Sequence, residues 1–236
     1  MFTEELAPVD SYLRRVKAKV IGHHPDGIVL DKTVFYAQGG GQPGDIGVVQ
    51  AESEVFAVSD TYRKDGAFVH RIDGDRPAVG TLVEAAIDWD RRYLLMKTHT
   101  ALHALTGIVF DGFHAKVTGG NMQPGSARMD FELESISQEF GQMVEQRLNA
   151  ALLNSHPVEV REMDRELALE DPMLIRTKVN MIPEYVNRIR VVDIVGLDRQ
   201  ADGGTHVRNT AEVGLIRVVK TESKGKANKR IRIEIV

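Results

Sequence analysis

The spacing of apolar residues changes period once, at Trp89, and that change limits what this chain can fold into. Before it, short alternating runs are separated by segments rich in Gly, Asp and Pro, the pattern of strands that bury one face and turn often. YLRRVKAKVIGHHPDGIVLD holds two such runs joined by the turn signal HHPDG, and further strand-like pieces cover residues 47–50, 54–61, 68–72 and 81–87. Short strands at near-regular spacing predict a small antiparallel barrel. From Trp89 the period is helical, with Leu95, Leu102, Leu105 and Val109 on one stripe, Asp88 as N-cap and Gly112 near the end. A hairpin with GGNMQPGS as its turn region follows, then a second amphipathic helix, residues 137–154, with Ile136, Phe140, Val144 and Leu148 on one stripe. VEVREM, RIRVVDIVG and two terminal segments read as strands, with ELALEDP as a short helix among them. The expected class is α+β: a small antiparallel β-barrel domain over 1–88, then a two-layer α/β domain over 89–236 that opens on a helix.

Cysteine is absent, which excludes a disulfide framework, a thiolate metal ligand and a cysteine nucleophile. Apolar residues make up 42% and charged residues 27% of the 236, ordinary values for a globular chain of one or two domains. No run approaches the roughly 18 apolar residues of a membrane span. The segment MFTEELAPVDSYLRR lacks the cationic-then-apolar order of a signal peptide, so the cytoplasm is the expected compartment. The net charge is −4, yet from Arg217 to Arg232 the only acid is Glu222, among Lys220, Lys224, Lys226, Lys229 and Arg230. Such a strip suits a partner with one polyanionic region, such as the end of a tRNA, or is a solvated hairpin.

Three blocks carry residues suited to chemistry. His99 and His103 are spaced i, i+4 on the helix, so one face presents two imidazoles about a turn apart, able to bind one transition metal. Thr100 stands where HExxH has its glutamate, which disfavours a protease of that class. In ADGGTHVRNTAEVG, Asp202 and His206 flank a Gly-Gly turn, and imidazole and carboxylate are ordinary zinc ligands. In FYAQGGGQPGDIG, the glycines ending in Gly40 and Gly41, followed by Gln42, offer close backbone approach and an amide, without the spacing of a phosphate-binding loop. Each block also has a plain structural reading: exposed or capped histidines, a turn leading into a strand at His206, and a turn between strands.

Together, DKTVFYAQGGGQPGDIG, HTALHAL, and DRQADGGTHVRNTAEVG with VVKTESKGKANKRI resemble the freestanding alanyl-tRNA editing proteins of the AlaX family, in its medium-length class. The same blocks occur, in this order, in the editing domain of alanyl-tRNA synthetase. The resemblance implies that residues 89–236 are a catalytic editing domain with a metal-bearing helix. It implies one zinc ion per chain, held by His99, His103 and His206, with Asp202 where the family has cysteine. It also implies hydrolysis of mischarged alanine tRNA, seryl and possibly glycyl, acting in trans, since no charging domain fits in 236 residues. Thr33 is then the reader of the serine hydroxyl, and Gly40, Gly41 and Gln42 the turn that closes over substrate. Lys224, Lys226, Lys229 and Arg230 become phosphate partners. One position departs from the synthetase pattern: Val117 stands where those editing domains have glutamine, and carries no catalytic role. Two other readings remain open at this point: a metal-dependent ester hydrolase of other specificity, and a tRNA-binding module without catalysis.

Overall fold

In the computed structural model, which describes residues 2–177 and 186–236, the chain divides into two units, Met1–Leu94 and Leu95–Val236. The strands of the first unit are β1 (Glu4–Glu5), β2 (Arg15–His24), β3 (Gly27–Leu30), β4 (Lys32–Thr33), β5 (Gly47–Ala51), β6 (Glu54–Val58), β7 (Asp60–Lys64), β8 (Ala67–Arg71) and β9 (Leu82–Ile87). β1 and β4 form a short parallel pair, and the other seven make one antiparallel ladder in the order β6-β5-β9-β2-β3-β8-β7. A bulge between Val20 and Gly22 bends β2, so its first half pairs with β9 and its second with β3. The core of this unit includes Val20, Ile28, Leu30 and Val49 from the strands and Phe35 and Ile72 from the segments beside them, all buried.

The antiparallel strands expected before Trp89 are present, and no closed barrel is found among them. Among the described residues the ladder is open: β6 and β7 are its two edges, and no pairing joins them. The sequence pattern reads the run 54–61 as one strand. The chain breaks it at Ser59, whose N–H bonds to Arg71 O (3.0 Å), and sends its halves to opposite edges.

A buried ion pair ties the glycine-rich segment to this unit. Arg92 and Asp45 are 0% and 1% exposed, and the guanidinium also donates to Val34 O (2.8 Å) and Ser11 O (3.0 Å). Asp45 in turn accepts from Tyr36 N at 2.6 Å, closing the base of the segment 36–45.

Helix α1, Trp89–Phe113, starts where Asp88 caps it, with Arg91 N donating to Asp88 Oδ1 at 3.0 Å. The division between the units falls inside this helix, after Leu94, rather than at its cap. In the second unit, β10 (Val117–Gln123) and β11 (Ser126–Phe131) form a hairpin tighter than GGNMQPGS suggests, since Gly119 and Gly120 lie within the strand. These two join β16 (Lys229–Ile235) and β15 (Ile216–Ser223) in an antiparallel sheet ordered β10-β11-β16-β15.

Helix α2, Gln138–Leu153, capped by Ser137, lies against β15. Its buried stripe is Gly141, Val144, Leu148 and Leu152, and Asn149 bonds both backbone groups of Ile216 at 2.8 Å. The edge strand is thereby covered by the helix that packs on it. Strands β12 (Val158–Asp164), β13 (Arg188–Ile194) and β14 (Asp198–Ala201) form a separate antiparallel sheet, with the short α3 (Arg165–Glu170) after β12.

Gly107, in the interior of α1, costs that helix about 0.5–1 kcal/mol relative to alanine. The turn between β13 and β14 explains it: a Cβ there would lie 2.5 Å from Leu197 O and 2.9 Å from Asp198 Cβ. Only glycine lets this turn dock, and the docking sets Asp198 beside α1.

Candidate metal centre

Helical spacing puts His99 and His103 on one face of α1, and the segment after β14 brings Asp202 and His206 to the same place. One donor atom from each of the four lies within 4.8 Å of the others. Four donors on one zinc ion at about 2.0–2.2 Å are at most ~4.4 Å apart, so the set is near the span that one ion needs. The rings pack closely, with His99 and His206 centroids 4.4 Å apart and His103 and His206 4.6 Å apart. His206 Nε2 is 3.0 Å from Asp202 Oδ2, and His99 Nε2 is 3.6 Å from Asp202 Oδ1. His206 lies in a loop rather than at a strand start. Asp202 shapes that loop itself, accepting from Gly204 N at 2.6 Å in an Asx turn, while Arg190 donates to its carbonyl at 2.9 Å.

Burial dominates the electrostatics. It pushes His99 down to about 4, and it pushes His206 well below the usual imidazole range, helped by the neighbouring His99. Burial also pushes His103 down, but the Asp198 hydrogen bond and the field of Asp202 outweigh it and leave the group raised. For Asp202 burial works upward, yet the surrounding imidazoles hold the carboxyl well below its usual range. Two of the imidazoles and the carboxyl are thus held in the forms a metal ligand set requires, while His103, raised, must release a proton to bind. The chemistry of the donors therefore fits a divalent transition metal.

Sequence reasoning missed the shell behind these donors. Thr100 Oγ1 is 3.2 Å from His206 Nδ1 and accepts from Val207 N at 3.3 Å. Asp198 Oδ2 is 3.4 Å from His103 Nδ1. A signal was present in LDRQADGGTH, where Asp198, Asp202 and His206 recur every four residues.

Thr33, Gly40, Gly41 and Gln42 lie in the first unit, and the basic strip lies in the second. Gly40 and Gly41 form a tight turn closed by paired bonds between Gly39 and Gln42 (3.1 and 2.9 Å), with φ of +58° and +83°. Both central positions need positive φ, the requirement of a type I′ turn, which explains the glycines. Gln42 is fully buried. Thr33, also fully buried, accepts from Phe35 N at 3.1 Å and lies 2.7 Å from His70 Nε2. Burial pushes His70 down to about 4, and its Nδ1 faces Ile28 O at 3.4 Å. The neutral ring therefore carries its proton on Nδ1 and accepts at Nε2, so Thr33 donates.

In the basic strip, Lys229 is buried and its ammonium donates to Gly225 O (2.6 Å) and Lys226 O (3.3 Å), closing the β15–β16 turn. Arg230 grips Asp130 with two bonds of 2.6 and 2.8 Å. Lys224 lies 3.7 Å from Glu222, and Lys226 is exposed. Val117 is buried at the start of β10, with its N–H bonded to Arg176 O at 2.9 Å.

Two segments of the chain match families defined among tRNA synthetases. Residues 10–91 match the family described as class II tRNA synthetases (A), and residues 189–232 match the second additional domain of threonyl and alanyl tRNA synthetases. A more particular likeness runs along the whole chain. It is 36% identical to the alanyl-tRNA editing protein AlaX-M of Saccharolobus solfataricus, over 97% of each chain. It is 34% identical to AlaX-L of Pyrococcus horikoshii over 92% of this chain and 54% of that one. The alanine–tRNA ligase of Pyrobaculum arsenaticum matches at 38% over 93% of this chain and 25% of the ligase. The chain belongs to the AlaX family of alanyl-tRNA editing proteins.

Proposed function

We propose that this protein hydrolyses the ester of mischarged alanine tRNA, seryl-tRNA(Ala) above all, at a zinc site formed by His99, His103, His206 and Asp202. The observation that carries the reading is the convergence of three buried imidazoles and a partly buried carboxylate from two distant segments, in a chain related along its length to editing proteins. A zinc ion held there supplies Lewis acidity at the ester carbonyl and lowers the pKa of a nearby water. Asp202, in place of a thiolate, contributes the negative charge of the set and fixes its own loop through Gly204.

For selectivity, Thr33 reads the serine hydroxyl. Its proton is committed to His70 and one lone pair to Phe35 N–H, so the remaining capacity is to accept a hydrogen bond. A site built to bond a hydroxyl rejects an analogue lacking it by ~10⁴-fold or more. The turn Gly40–Gly41 and Gln42 cover the amino acid. Of the basic strip, Lys224 and Lys226 are the phosphate partners, because Lys229 and Arg230 are engaged within the fold. The 1–88 and 89–236 domains divide the work between recognition and hydrolysis, and the cytoplasm is the compartment implied. No helix is long and apolar enough to cross a membrane among the described residues.

A deacylation panel tests the reading. Seryl-tRNA(Ala) is expected to be cleaved and alanyl-tRNA(Ala) spared. Equal cleavage of unrelated aminoacyl-tRNAs points to a different hydrolase, and binding of tRNA without turnover points to a module without catalysis.

A further inference from the structure

Among the described residues, three buried side-chain atoms have no hydrogen-bond partner: His103 Nδ1, Arg176 Nε and Asp198 Oδ1. They are not scattered. Asp198 Oδ2 lies 3.4 Å from His103 Nδ1, and Asp198 Oδ1 lies 3.5 Å from Arg176 Nε, so the three form one chain. Gln200 Nε2 donates to Asp198 Oδ2 at 2.6 Å, and the Arg176 guanidinium lies 3.9 Å above the Phe110 ring. His103, Gly107 and Phe110 share one face of α1, and Gly107 is the point where the turn carrying Asp198 docks.

We propose that Asp198, held by Arg176 and Gln200, is a positioning residue that selects the tautomer of His103 and aims its Nε2 at the other three donors. The proposal rests on the reading of the cluster as a metal site. A neutral imidazole carries one proton. Facing a buried carboxylate, Nδ1 must hold it, because a lone pair there would oppose the negative charge in a medium of low dielectric. Nε2 is then left unprotonated, the form in which an imidazole binds a metal. The Arg176 guanidinium lies on the far side of Asp198 from His103 as its counter-charge, and the Gln200 amide orients the carboxylate.

His206 has a different support. Thr100 can donate to or accept from its Nδ1, so the group behind that ring does not itself choose the tautomer. Asp198 only accepts, and His103 is thereby the donor fixed in advance.

The test measures zinc affinity by competition with a chromophoric chelator on the full chain, and the visible spectrum of the cobalt-loaded protein. Wild type, Asp198→Asn, Asp198→Ala and Gly107→Ala are compared, with far-ultraviolet circular dichroism on each metal-free protein. The Asp198 variants are expected to fold and to bind zinc about 10–100-fold more weakly, with a shifted cobalt spectrum. Gly107→Ala, which displaces the docking turn, is expected to move both readouts in the same direction. If Asp198→Ala does not fold, Asp198→Asn carries the comparison, because it keeps the shape and removes the charge. Zinc affinity within twofold of wild type and an unchanged cobalt spectrum in folded Asp198→Asn overturn the proposal. A wild-type chain that binds neither ion overturns the metal reading beneath it, a separate and distinguishable result.

Discussion

His70 and His103 are both buried imidazoles, one in each unit, and they do opposite things. Both nitrogens of His70 are engaged locally, by Thr33 and by the Ile28 carbonyl, and among the described residues it belongs to no group of three or more His, Asp or Glu donors. His103 turns Nδ1 toward Asp198 and belongs to a set with three further donors, two of them buried and Asp202 partly so. Burial is common to the two, so burial does not mark a site. Convergence does: several strong donors brought from distant segments, each costly to bury alone and together suited to one cation.

The sharpest way to break this comparison is at the ligands. His99→Ala is expected to lower seryl-tRNA(Ala) deacylation at least about 100-fold, since it disturbs an ion whose contribution is several kcal/mol. Rate and zinc stoichiometry measured on the same preparation check this, and a full rate without bound metal removes the metal from the chemistry. The carboxylate comes next. Asp202→Ala is expected to weaken zinc binding about 10–100-fold, whereas Asp202→Cys restores the softer ligand and keeps the affinity. Chelator competition on the two variants separates a direct ligand from a bystander.

His70→Phe sharpens the other side. Removing the acceptor of the buried Thr33 hydroxyl is expected to cost about 1–3 kcal/mol in denaturant unfolding and to leave zinc stoichiometry unchanged. It also carries a pH signature. His70 is held near 4, so below the unfolded value of about 6.5 the unfolded chain takes up a proton that the folded chain refuses. Wild-type stability therefore falls as pH drops from about 6.5 to 4, by up to ~3 kcal/mol from this group, and is unaffected by it above 6.5. Denaturant titrations of the metal-free protein across that window should show a shallower acid slope in the variant. The smallest expected effect lies on the surface: Lys224→Ala with Lys226→Ala should reduce the slope of log affinity for tRNA against log salt by about 0.7–0.9 for each phosphate no longer neutralised. An unchanged slope moves the tRNA interface elsewhere.

Much of this was legible in the residues, for identifiable reasons. The i, i+4 pair His99 and His103 projects from one face whatever surrounds the helix, and Asp88 marks the helix start through its own side chain. The Gly40–Gly41 turn was visible as glycine, although the type I′ geometry that demands it appears only with the backbone. Three things were hidden. Strand-like alternation over 54–61 cannot show that one run serves two opposite edges of a sheet, because pairing is non-local. The charges of Lys229 and Arg230 read as free until Gly225, Lys226 and Asp130 are seen to take them. Arg176 carries no motif and Asp198 only a four-residue spacing from Asp202, and Asp198 meets His103 only because Gly107 admits the turn between β13 and β14.

The most direct test of the central claim is metal removal and return on the unmodified protein. Seryl-tRNA(Ala) deacylation is measured on the chelator-treated chain as zinc is titrated back, with His103→Ala in parallel. The expected result is an inactive metal-free chain whose activity returns with a break at one zinc per chain, and no recovery in the variant. Full activity in the metal-free wild type, or recovery of His103→Ala at the same stoichiometry, contradicts the account.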